Sequence, residues 1–321
     1  MTVKLSICIP TYNREKYLRQ LLDSIARQPL DDVEVVVSDN ASPDDTEQVL
    51  REFSRKINRL VVHRWDKNVG ADRNYLKVVE LASGEYCWFM GSDDIIPDGS
   101  IAKIILLLTI SPDIAIIGRN ICSIDLVPMG TETFLEERIS AREFDFLRHQ
   151  EFLEYLNACR SLGGVFSYLS AIIVRRRAWQ SVRFDESFIG TAYSHVYVLM
   201  KISLNGAKLC YTPEPLVTFR GGNDSFKTNL LVRGLLDLRG YTKLADALIE
   251  DQEIKKGFLH TMQRQHDFIS IIKMFGSCLD KELATEYKQL AIRFEIPSWK
   301  LRLAQALQPF SNIAYRIKYR G

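Results

Sequence analysis

Short apolar segments alternate with segments of helical spacing through the first part of the chain, and this alternation restricts the fold more than any other feature. The apolar segments are rich in β-branched or aromatic residues, as strands are, and lie at residues 3–9, 33–38, 60–63 and 86–90. Strands that alternate with helices are typical of a parallel sheet. The sequence therefore predicts an α/β fold with a mostly parallel sheet flanked by helices.

Two of the helices have specific signals. Apolar side chains recur at helical spacing after the first strand, at Leu18, Leu21, Leu22 and Ile25. After the second strand, Ser42 is predicted to cap a helix, with Pro43 at its first position and Asp45 as the acidic partner three residues after the cap. That helix is predicted over residues 43–56.

The 321 residues suffice for more than one domain, since a domain usually holds roughly 100 to 200 residues. From about residue 226 onward, apolar side chains recur at helical spacing, with Pro297 and Pro309 as breaks. We therefore predict an α/β domain over residues 1–224 and a C-terminal α-helical region over residues 225–321.

Charge and cysteine content exclude several classes of protein. The 42 basic and 40 acidic side chains give a formal charge of +2, so we expect no nucleic-acid partner, which would need clustered positive charge. The longest aliphatic run, residues 104–108, is far shorter than the roughly 20 residues that span a bilayer, and no signal-peptide pattern occurs, so a cytoplasmic protein is expected. Six cysteines without a C-x-x-C pair indicate neither a disulfide framework nor a thiolate zinc site.

Three polar turns follow predicted strands, at residues 11–13, 39–40 and 91–94. Ligands of open α/β sheets bind beyond the carboxyl ends of the strands, so these turns are the candidate binding site. The first turn lacks the G-x-G-x-x-G pattern, and the chain contains no G-x-x-x-x-G-K-[ST] pattern. The sequence thus argues against a dehydrogenase of the dinucleotide-binding type and against a P-loop NTPase.

Adjacent Asp93 and Asp94 follow the apolar strand of residues 86–90. Neighbouring carboxylates repel each other, and a hard divalent cation that also binds substrate phosphates relieves that repulsion. One interpretation is a metal and diphosphate site, and the other is a solvated turn in which Asp94 or Asp98 begins the next helix. The other turns favour the site, because an aromatic beside Thr and Asn, with an acid nearby, can hold a nucleobase and ribose.

Four ordered motifs resemble the family-2 glycosyltransferases, whose catalytic domain has the GT-A fold. They are ICIPTYNR at residues 7–14, VVSDNAS at 36–42, NVGADRN at 68–74 and GSDD at 91–94, and the resemblance covers about residues 3–221. The third and fourth motifs are most similar to bacterial O-antigen enzymes of the abequosyltransferase type, which transfer a dideoxy sugar. The resemblance implies a nucleotide-diphosphate sugar as donor substrate and a divalent metal, Mn²⁺ or Mg²⁺, as cofactor.

The resemblance also implies which residues contact the donor. Asp39 would hydrogen-bond the base, Tyr12 would pack against it, and Arg73 matches a basic residue near the diphosphate. Arg220 belongs to a predicted closing loop at residues 218–225, where it either clamps phosphate, since its fork matches that geometry, or pairs with a surface acid. The predicted donor-contacting residues are Pro10, Thr11, Tyr12, Asn13, Asp39, Arg73, Ser92, Asp93 and Arg220.

The predicted catalytic residues are Asp94 and His195, and the predicted metal ligands are Asp93 and, second, Asp94. The acidic motif of the family usually begins one acid earlier, where this chain has Gly91. On the acceptor side, the family acid pair is replaced by Ser194 and His195. A histidine can take the proton of the acceptor hydroxyl, although His195 could equally hydrogen-bond a neighbour or the acceptor. Asp185 and Glu186 are substitute bases, residues of a type that more often caps helices.

The resemblance therefore implies an enzyme that moves a sugar, such as the dideoxyhexose abequose, to a saccharide hydroxyl during assembly of O-antigen or another surface polysaccharide. Two alternatives are a nucleotidyltransferase that makes the sugar nucleotide and a non-catalytic sugar-nucleotide-binding scaffold.

The C-terminal residues 300–320 combine basic and apolar side chains. They either lie on an anionic membrane surface, beside a lipid-linked acceptor on the inner face of the cytoplasmic membrane, or pack on the catalytic domain.

Overall fold

The computed structural model describes residues 3–223 and 229–319, without the side chains of residues 314–319. These residues form two compact units. The first unit consists of Met1–Phe152 and Phe166–Gly221, and the second of Leu153–Val165 and Gly222–Gly321. The boundary that we predicted at residues 224 and 225 lies outside the described residues and stays a prediction. The membership of residues 153–165 in the second unit was not predicted.

The four predicted strands are neighbours in one sheet, in the order β3-β2-β1-β4, and run parallel. Their bounds are β1 Leu5–Thr11, β2 Val33–Asp39, β3 Leu60–Arg64 and β4 Tyr86–Phe89. Every residue of β1, β2 and β4 is buried, as expected for strands covered on both faces. Thr11 lies opposite Asp39, and Asp39 lies opposite Arg64, so the carboxyl ends of β1, β2 and β3 meet at one edge.

Helices connect these strands, as the alternation predicted. They are α1 Glu15–Ala26, α2 Thr46–Phe53, α3 Ala71–Leu81 and, after β4, α4 Ser100–Leu107. The predicted apolar face of α1 is buried, at Leu18, Leu21, Leu22 and Ile25. This burial fixes the orientation of α1, whose first turn begins at Glu15, a few residues after the end of β1.

The predicted cap of α2 was wrong. The helix begins at Thr46 rather than at Pro43, and the hydroxyl of Ser42 accepts a hydrogen bond from the backbone N–H of Asn13 at 2.8 Å. Asp44 Oδ1 accepts from the backbone N–H of Thr46 at 3.2 Å and from its hydroxyl at 2.6 Å. Ser42 therefore joins two strand-end turns instead of starting a helix.

The rest of the sheet adds antiparallel pairs, so the nine-stranded sheet that the described residues form is mixed. The further strands are β5 Ile114–Cys122, β6 Pro128–Glu132, β7 Arg142–Asp145, β8 Ile172–Arg175 and β9 Lys208–Arg220. β8 lies between β4 and β5 and is antiparallel to both, whereas β9 is parallel to β5. The helices of this part are α5 His149–Ala158, α6 Arg176–Gln180 and α7 Ser194–Leu204.

The second unit is helical in the residues described. Its helices are α8 Leu230–Leu248, α9 Gln252–Gln265, α10 Phe268–Ser277, α11 Lys281–Arg293, α12 Ser298–Ala306 and α13 Gln308–Tyr319. Asp251, Asp267 and Asp280 cap α9, α10 and α11 by accepting backbone N–H bonds. Within the described ranges, no helix has both the length and the apolar character needed to cross a membrane.

Candidate active site

A cleft of about 410 Å³ lies where β1, β2 and β4 end. Its walls come from the turns after these strands and from the first turns of α3, as expected for a ligand site of an α/β sheet. Five predicted donor-contacting residues line it, namely Pro10, Thr11, Tyr12, Ser92 and Asp93. The other lining residues are Arg14, Asn40, Asn68, Gly70, Ala71, Asn74, Tyr75, Gly91 and Leu169.

The end of β1 and the turn after it contribute a buried threonine and an exposed aromatic ring to the lining of the cleft. The Tyr12 side chain is 44% exposed although it is aromatic. Thr11 is only 2% exposed, and its Oγ1 has no hydrogen-bond partner in the part of the chain that the structure describes. Leaving a buried hydroxyl unsatisfied is unfavourable, so a ligand in the cleft would gain by supplying that partner. Asn13 follows with φ 53° and does not line the cleft.

Asp39 ends β2 and is fully buried, outside the lining of the cleft. Its Oδ2 accepts from Arg64 Nη1 at 2.6 Å, and its Oδ1 accepts from the backbone N–H of Ser42 at 3.0 Å. Arg64, the last residue of β3, was not foreseen as its partner. The contact of Asp39 with the base of the donor stays a prediction.

Asparagine amides hold the wall between β2 and α3. Asn40 Nδ2 donates to Asn68 Oδ1 at 2.9 Å, and Asn40 Oδ1 accepts from the backbone N–H of Val69 at 2.8 Å. Asn74 Nδ2 donates to the carbonyl oxygens of Thr11 at 3.3 Å and Ser38 at 3.0 Å. These amides fix the loop before α3 to the ends of β1 and β2. Sequence reasoning missed these roles, although the third motif contains Asn68 and Asn74.

Asp93 is the predicted acid that faces the cleft. Its side chain is 28% exposed, and its Oδ2 lies 3.4 Å from Arg14 Nη1. The backbone oxygen of Asp93 accepts from Arg220 Nε at 2.8 Å, which holds the turn after β4 against the end of β9. A carboxylate and a guanidinium therefore lie side by side at the cleft.

Asp94 is buried behind this position and does not line the cleft. Its Oδ2 accepts from Tyr168 Oη at 2.7 Å and Ser170 Oγ at 2.5 Å, and its Oδ1 accepts from the backbone N–H of Arg220 at 3.2 Å. Burial and the charge of Asp93 raise the pKa of Asp94 to about 6, against the lowering effect of these hydrogen bonds. The interpretation that Asp94 or Asp98 begins the next helix was wrong, because Gly99 precedes α4.

The position of the missing family acid is crowded by these two carboxyl groups. A Cβ placed on Gly91 would lie 3.1 Å from Asp94 Oδ2, 3.2 Å from Asp93 Oδ1 and 3.3 Å from Ser170 Oγ. A third carboxylate here would add to the repulsion that already acts on Asp94. Glycine at this position therefore adds no third negative charge to the turn.

Arg220 ends β9 and is 3% exposed. Besides the bond to Asp93, its Nη1 donates to the carbonyl oxygen of Ile124 at 2.8 Å and its Nη2 donates to Gln20 Oε1 at 2.6 Å. All three guanidinium nitrogens therefore donate to protein groups that surround the turn after β4. A clamp on phosphate stays a prediction, and the remaining residues of the predicted closing loop, 224–225, lie outside the described residues.

The chemistry of the cleft fits a hard divalent cation held by one carboxylate. Asp93 offers partly exposed carboxylate oxygens, whereas the oxygens of Asp94 already accept three hydrogen bonds. Mg²⁺ commonly takes one or two carboxylates, with substrate phosphates and waters completing its shell. In the described ranges, no cluster of three or more His, Cys, Asp or Glu side chains is placed to hold a metal ion by itself.

The first turn of α3 contacts the acceptor-side segment through two adjacent residues. Arg73 does not line the cleft, and its Nη2 lies 2.9 Å from Glu186 Oε2. Asp72 Oδ2 accepts from the backbone N–H groups of Gly190 at 2.7 Å and Ala192 at 3.1 Å, and its Oδ1 accepts from that of Ser194 at 3.3 Å. Sequence reasoning missed Asp72, which holds the segment that leads into α7.

His195, the candidate base, lies in the first turn of α7 and is 2% exposed. Its Nε2 lies 3.0 Å from the carbonyl oxygen of Phe166, and its Nδ1 has no hydrogen-bond partner among the described residues. Burial lowers the pKa of His195 to about 4, despite the nearby charge of Asp72. His195 is therefore neutral at physiological pH and does not line the cleft. The substitute Asp185 caps a short turn by accepting from the backbone N–H of Ser187 at 2.9 Å.

The sequence matches the family model described as Glycosyl transferase family 2 over residues 6–171. This segment contains β1 except its first residue, the whole of β2 to β4 and every residue that lines the cleft. Abequosyltransferase RfbV of Salmonella typhimurium is 35% identical over 324 residues, which cover 98% of this chain and 95% of that protein.

Two solved structures share the fold at low sequence identity. The structure of S. aureus TarS residues 1–349 in complex with UDP-GlcNAc superposes with a TM-score of 0.66 at 19% identity, covering 99% of this chain and 91% of that one. The mannosyltransferase PcManGT from Pyrobaculum calidifontis, in complex with GDP-Man and Mn²⁺, gives a TM-score of 0.56 at 16% identity, covering 99% and 87%. The predicted GT-A fold with a C-terminal helical region is thereby confirmed.

Proposed function

This chain belongs to glycosyl transferase family 2, and on that basis we propose that its cleft binds a nucleotide-diphosphate sugar whose sugar passes to a saccharide hydroxyl. The supporting observation is that the cleft at the ends of β1, β2 and β4 is built wholly from the segment that matches the family. The chain is a glycosyltransferase of O-antigen-type polysaccharide synthesis. The donor, the metal and the individual residue roles belong to the proposal.

The nucleoside would occupy the β1 side of the cleft. The exposed ring of Tyr12 offers a flat apolar surface on which a base can stack. The hydroxyl of Thr11 would supply one hydrogen bond and gain the partner that it lacks among described groups. Asp39 and Arg64, paired at 2.6 Å, would then set the polar edge beside the base.

The diphosphate would lie on the β4 side, between Arg14 and Asp93. Arg14 offers a guanidinium that matches phosphate geometry. Asp93 would hold the divalent cation. The hydrogen bonds that Asp94 accepts would keep the turn that carries Asp93 in position. The cation, when bound, supplies Lewis-acid stabilisation of the negative charge that develops on the leaving diphosphate. TarS and PcManGT, whose complexes contain UDP-GlcNAc or GDP-Man with Mn²⁺, are precedents for such ligands on this fold.

His195 is the proposed general base on the acceptor side. Its Nδ1 has no hydrogen-bond partner among the described residues, while Nε2 lies within hydrogen-bond distance of the carbonyl oxygen of Phe166. Because its pKa is about 4, the imidazole is in its basic form throughout the neutral range. Asp72 holds the segment before α7 and thereby fixes the approach to His195.

The name of the full-length relative supports a dideoxyhexose such as abequose as the transferred sugar. A lipid-linked saccharide would be the acceptor, and the protein would act in the cytoplasm at the inner face of the cytoplasmic membrane. The basic C-terminal residues 300–320 support such peripheral attachment, since anionic lipids attract Lys and Arg.

The purified full chain tests the proposal. It is incubated with CDP-, UDP-, GDP- or dTDP-linked sugars, Mn²⁺ or Mg²⁺ and a lipid-linked saccharide, and the products are read by mass spectrometry. The proposal expects one donor to extend the acceptor by one sugar and to leave the nucleoside diphosphate. Release of pyrophosphate from a nucleoside triphosphate would instead indicate a nucleotidyltransferase. Donor binding without product under every condition would indicate a scaffold.

A further inference from the structure

Helices α12 and α13 form an almost continuous helical surface at the end of the second unit. They are separated by Leu307, whose backbone is itself helical, with φ −82° and ψ −7°. The backbone N–H of Leu307 donates to the carbonyl oxygen of Leu303 at 3.0 Å, and that of Ser311 donates to the carbonyl oxygen of Leu307 at 3.0 Å. Leu307 thus takes part in the hydrogen bonding of both helices, and α13 follows α12 after this one residue.

One side of this surface packs within the second unit. Leu301 and Ala304 are buried at 3% and 0% exposure. Gln308 Nε2 donates to the carbonyl oxygens of Phe275 and Cys278 at 3.1 and 2.7 Å, and Asn312 Nδ2 donates to that of Gly276 at 2.7 Å. The amides of Gln308 and Asn312 therefore attach α13 to the C-terminal end of α10, and α12 buries Leu301 and Ala304.

The opposite side exposes large apolar side chains. Trp299 is 53% exposed, Leu303 43%, Phe310 72% and Ile313 59%. At about 100° of rotation per residue, these four side chains fall within a sector of roughly 80°. We call them the α12–α13 face. Contiguous exposed apolar side chains of this size mark an interaction surface, because the hydrophobic effect favours covering them.

Lys300 and Arg302 lie beside this face, and the printed sequence after Glu295 is basic. After Glu295 the chain has no Asp or Glu, and it carries Lys300, Arg302, Arg316, Lys318 and Arg320. At about 100° per residue, Lys300 and Arg302 flank the apolar sector on either side. An apolar stripe with Trp, bordered by Lys and Arg, is the pattern of a helix that lies in the headgroup region of an anionic membrane.

We propose that the α12–α13 face is a docking surface for an anionic lipid bilayer. Leu303, Phe310 and Ile313 enter the boundary between headgroups and acyl chains, Trp299 lies at the headgroup level, and the flanking cations contact lipid phosphates. The proposal locates the membrane attachment that the proposed function requires. Its test uses neither donor nor acceptor, so its failure would leave the test of sugar transfer unaffected.

Vesicle sedimentation of the full chain tests the surface. Vesicles of phosphatidylcholine with about 30% phosphatidylglycerol are compared with vesicles of phosphatidylcholine alone. The proposal expects binding to the anionic vesicles to be at least about tenfold stronger and to weaken with salt, because counterions screen the attraction. Phe310→Glu and Leu303→Glu should each lower that binding at least about tenfold. Ile292→Glu, which changes a side chain of α11 that is 64% exposed outside the face, should leave it unchanged.

Tryptophan fluorescence gives a second measurement that does not depend on adding charge. Of the four tryptophans, Trp88 and Trp179 are buried, Trp65 is half-buried and Trp299 is 53% exposed, so transfer of Trp299 into lipid should shift the emission to shorter wavelength. Trp299→Phe should still sediment with anionic vesicles but lose most of that shift. No binding by the wild type, equal binding by Phe310→Glu, or an unchanged shift in Trp299→Phe would overturn the proposal. A wild-type dimer that Phe310→Glu dissociates would overturn it in favour of a second copy of the chain.

Discussion

Arg14 Nη1 lies 3.4 Å from Asp93 Oδ2, although Arg14 follows β1 and Asp93 follows β4. β1 and β4 are adjacent parallel strands, so their carboxyl ends bring the two side chains to the same cleft. Without the carboxylate, Arg14 would lose its ion-pair partner, and a divalent cation would lose its exposed ligand. The arrangement of the strands therefore places a cationic and a metal-binding side chain where we propose that the anionic donor binds.

Asp93→Asn should lower kcat by at least about 100-fold, because a metal ligand supports several kcal/mol of charge stabilisation in the transition state. The melting temperature should not fall, since the substitution removes the charge that raises the pKa of Asp94. Steady-state rates and thermal melts are measured together. Asp98→Asn is the matched control, because Asp98 has a side chain that is 79% exposed and lies 3.9 Å from Arg27. Equal rates for wild type and Asp93→Asn would remove Asp93 from the mechanism.

Asp94 should make the stability of the protein depend on pH. In the folded state its pKa is about 6, against an ordinary value of 3.8, so between these pH values the folded state binds more protons than the unfolded state. The free energy of unfolding therefore falls as pH rises through this window, by about 3 kcal/mol for a shift of this size. Asp94→Asn has no charge to bury, so its stability relative to wild type should rise from pH 4 to pH 7. Parallel denaturation curves of the two proteins across that range would contradict the burial of an ionisable Asp94.

His195→Asn should lower kcat by about 100-fold if His195 removes the proton of the acceptor, which is the usual contribution of a general base. Because the pKa of His195 is about 4, the ratio of wild-type to variant activity should stay constant from pH 6 to pH 9. The pH profiles of both proteins give that ratio. Full activity of His195→Asn would exclude it as the base, and a ratio that changes near pH 6.5 would mean that the histidine titrates as an exposed one does.

Asp72→Asn should loosen the segment before α7. Three backbone N–H groups donate to this carboxylate, and an amide in its place would turn its own NH₂ group toward some of them. We expect a loss of about 3 kcal/mol in the free energy of unfolding, since hydrogen bonds to charged groups contribute about 1.5–3 kcal/mol. A rise in the KM for the acceptor should exceed that for the donor. Glu80→Gln, an exposed change on the same helix, is the control, and equal denaturation midpoints for both variants would contradict this role.

The parallel half of the sheet could be predicted because its strands are marked by local sequence. Each is a short run of β-branched or aromatic residues followed by a helix, and the observed bounds differ from the predicted ones by at most two residues. The antiparallel half could not be predicted in this way. β8 pairs with β4, and Trp88 lies opposite Ile173 in that pair, a contact between residues far apart in sequence. Such a pairing follows from the packing of the whole sheet.

The same distinction applies to the site: residues that directly follow strands could be predicted, whereas environments formed by distant residues could not. Thr11, Tyr12, Ser92 and Asp93 follow strands directly, and the cleft contains them. The environment of Asp94 depends on Tyr168 and Ser170, which no local pattern associates with it. The burial of His195 follows from α7, a helix that is buried almost all round and so gives no amphipathic signal for the direction of a polar side chain.

We expect the cleft at the ends of β1, β2 and β4 to bind the nucleotide of the donor, and thermal melting measures this binding. Wild type, Tyr12→Ala and Asp93→Asn are melted with CDP, UDP, GDP or dTDP, each with and without Mn²⁺ or Mg²⁺. A ligand at about 100 times its Kd adds about 2.7 kcal/mol to the stability of the folded state. One nucleotide should raise the wild-type melting temperature by several degrees with metal, Tyr12→Ala should weaken this shift, and Asp93→Asn should abolish its dependence on metal. No shift with any nucleotide, or the same metal-dependent shift in all three proteins, would mean that the donor nucleotide does not bind in this cleft.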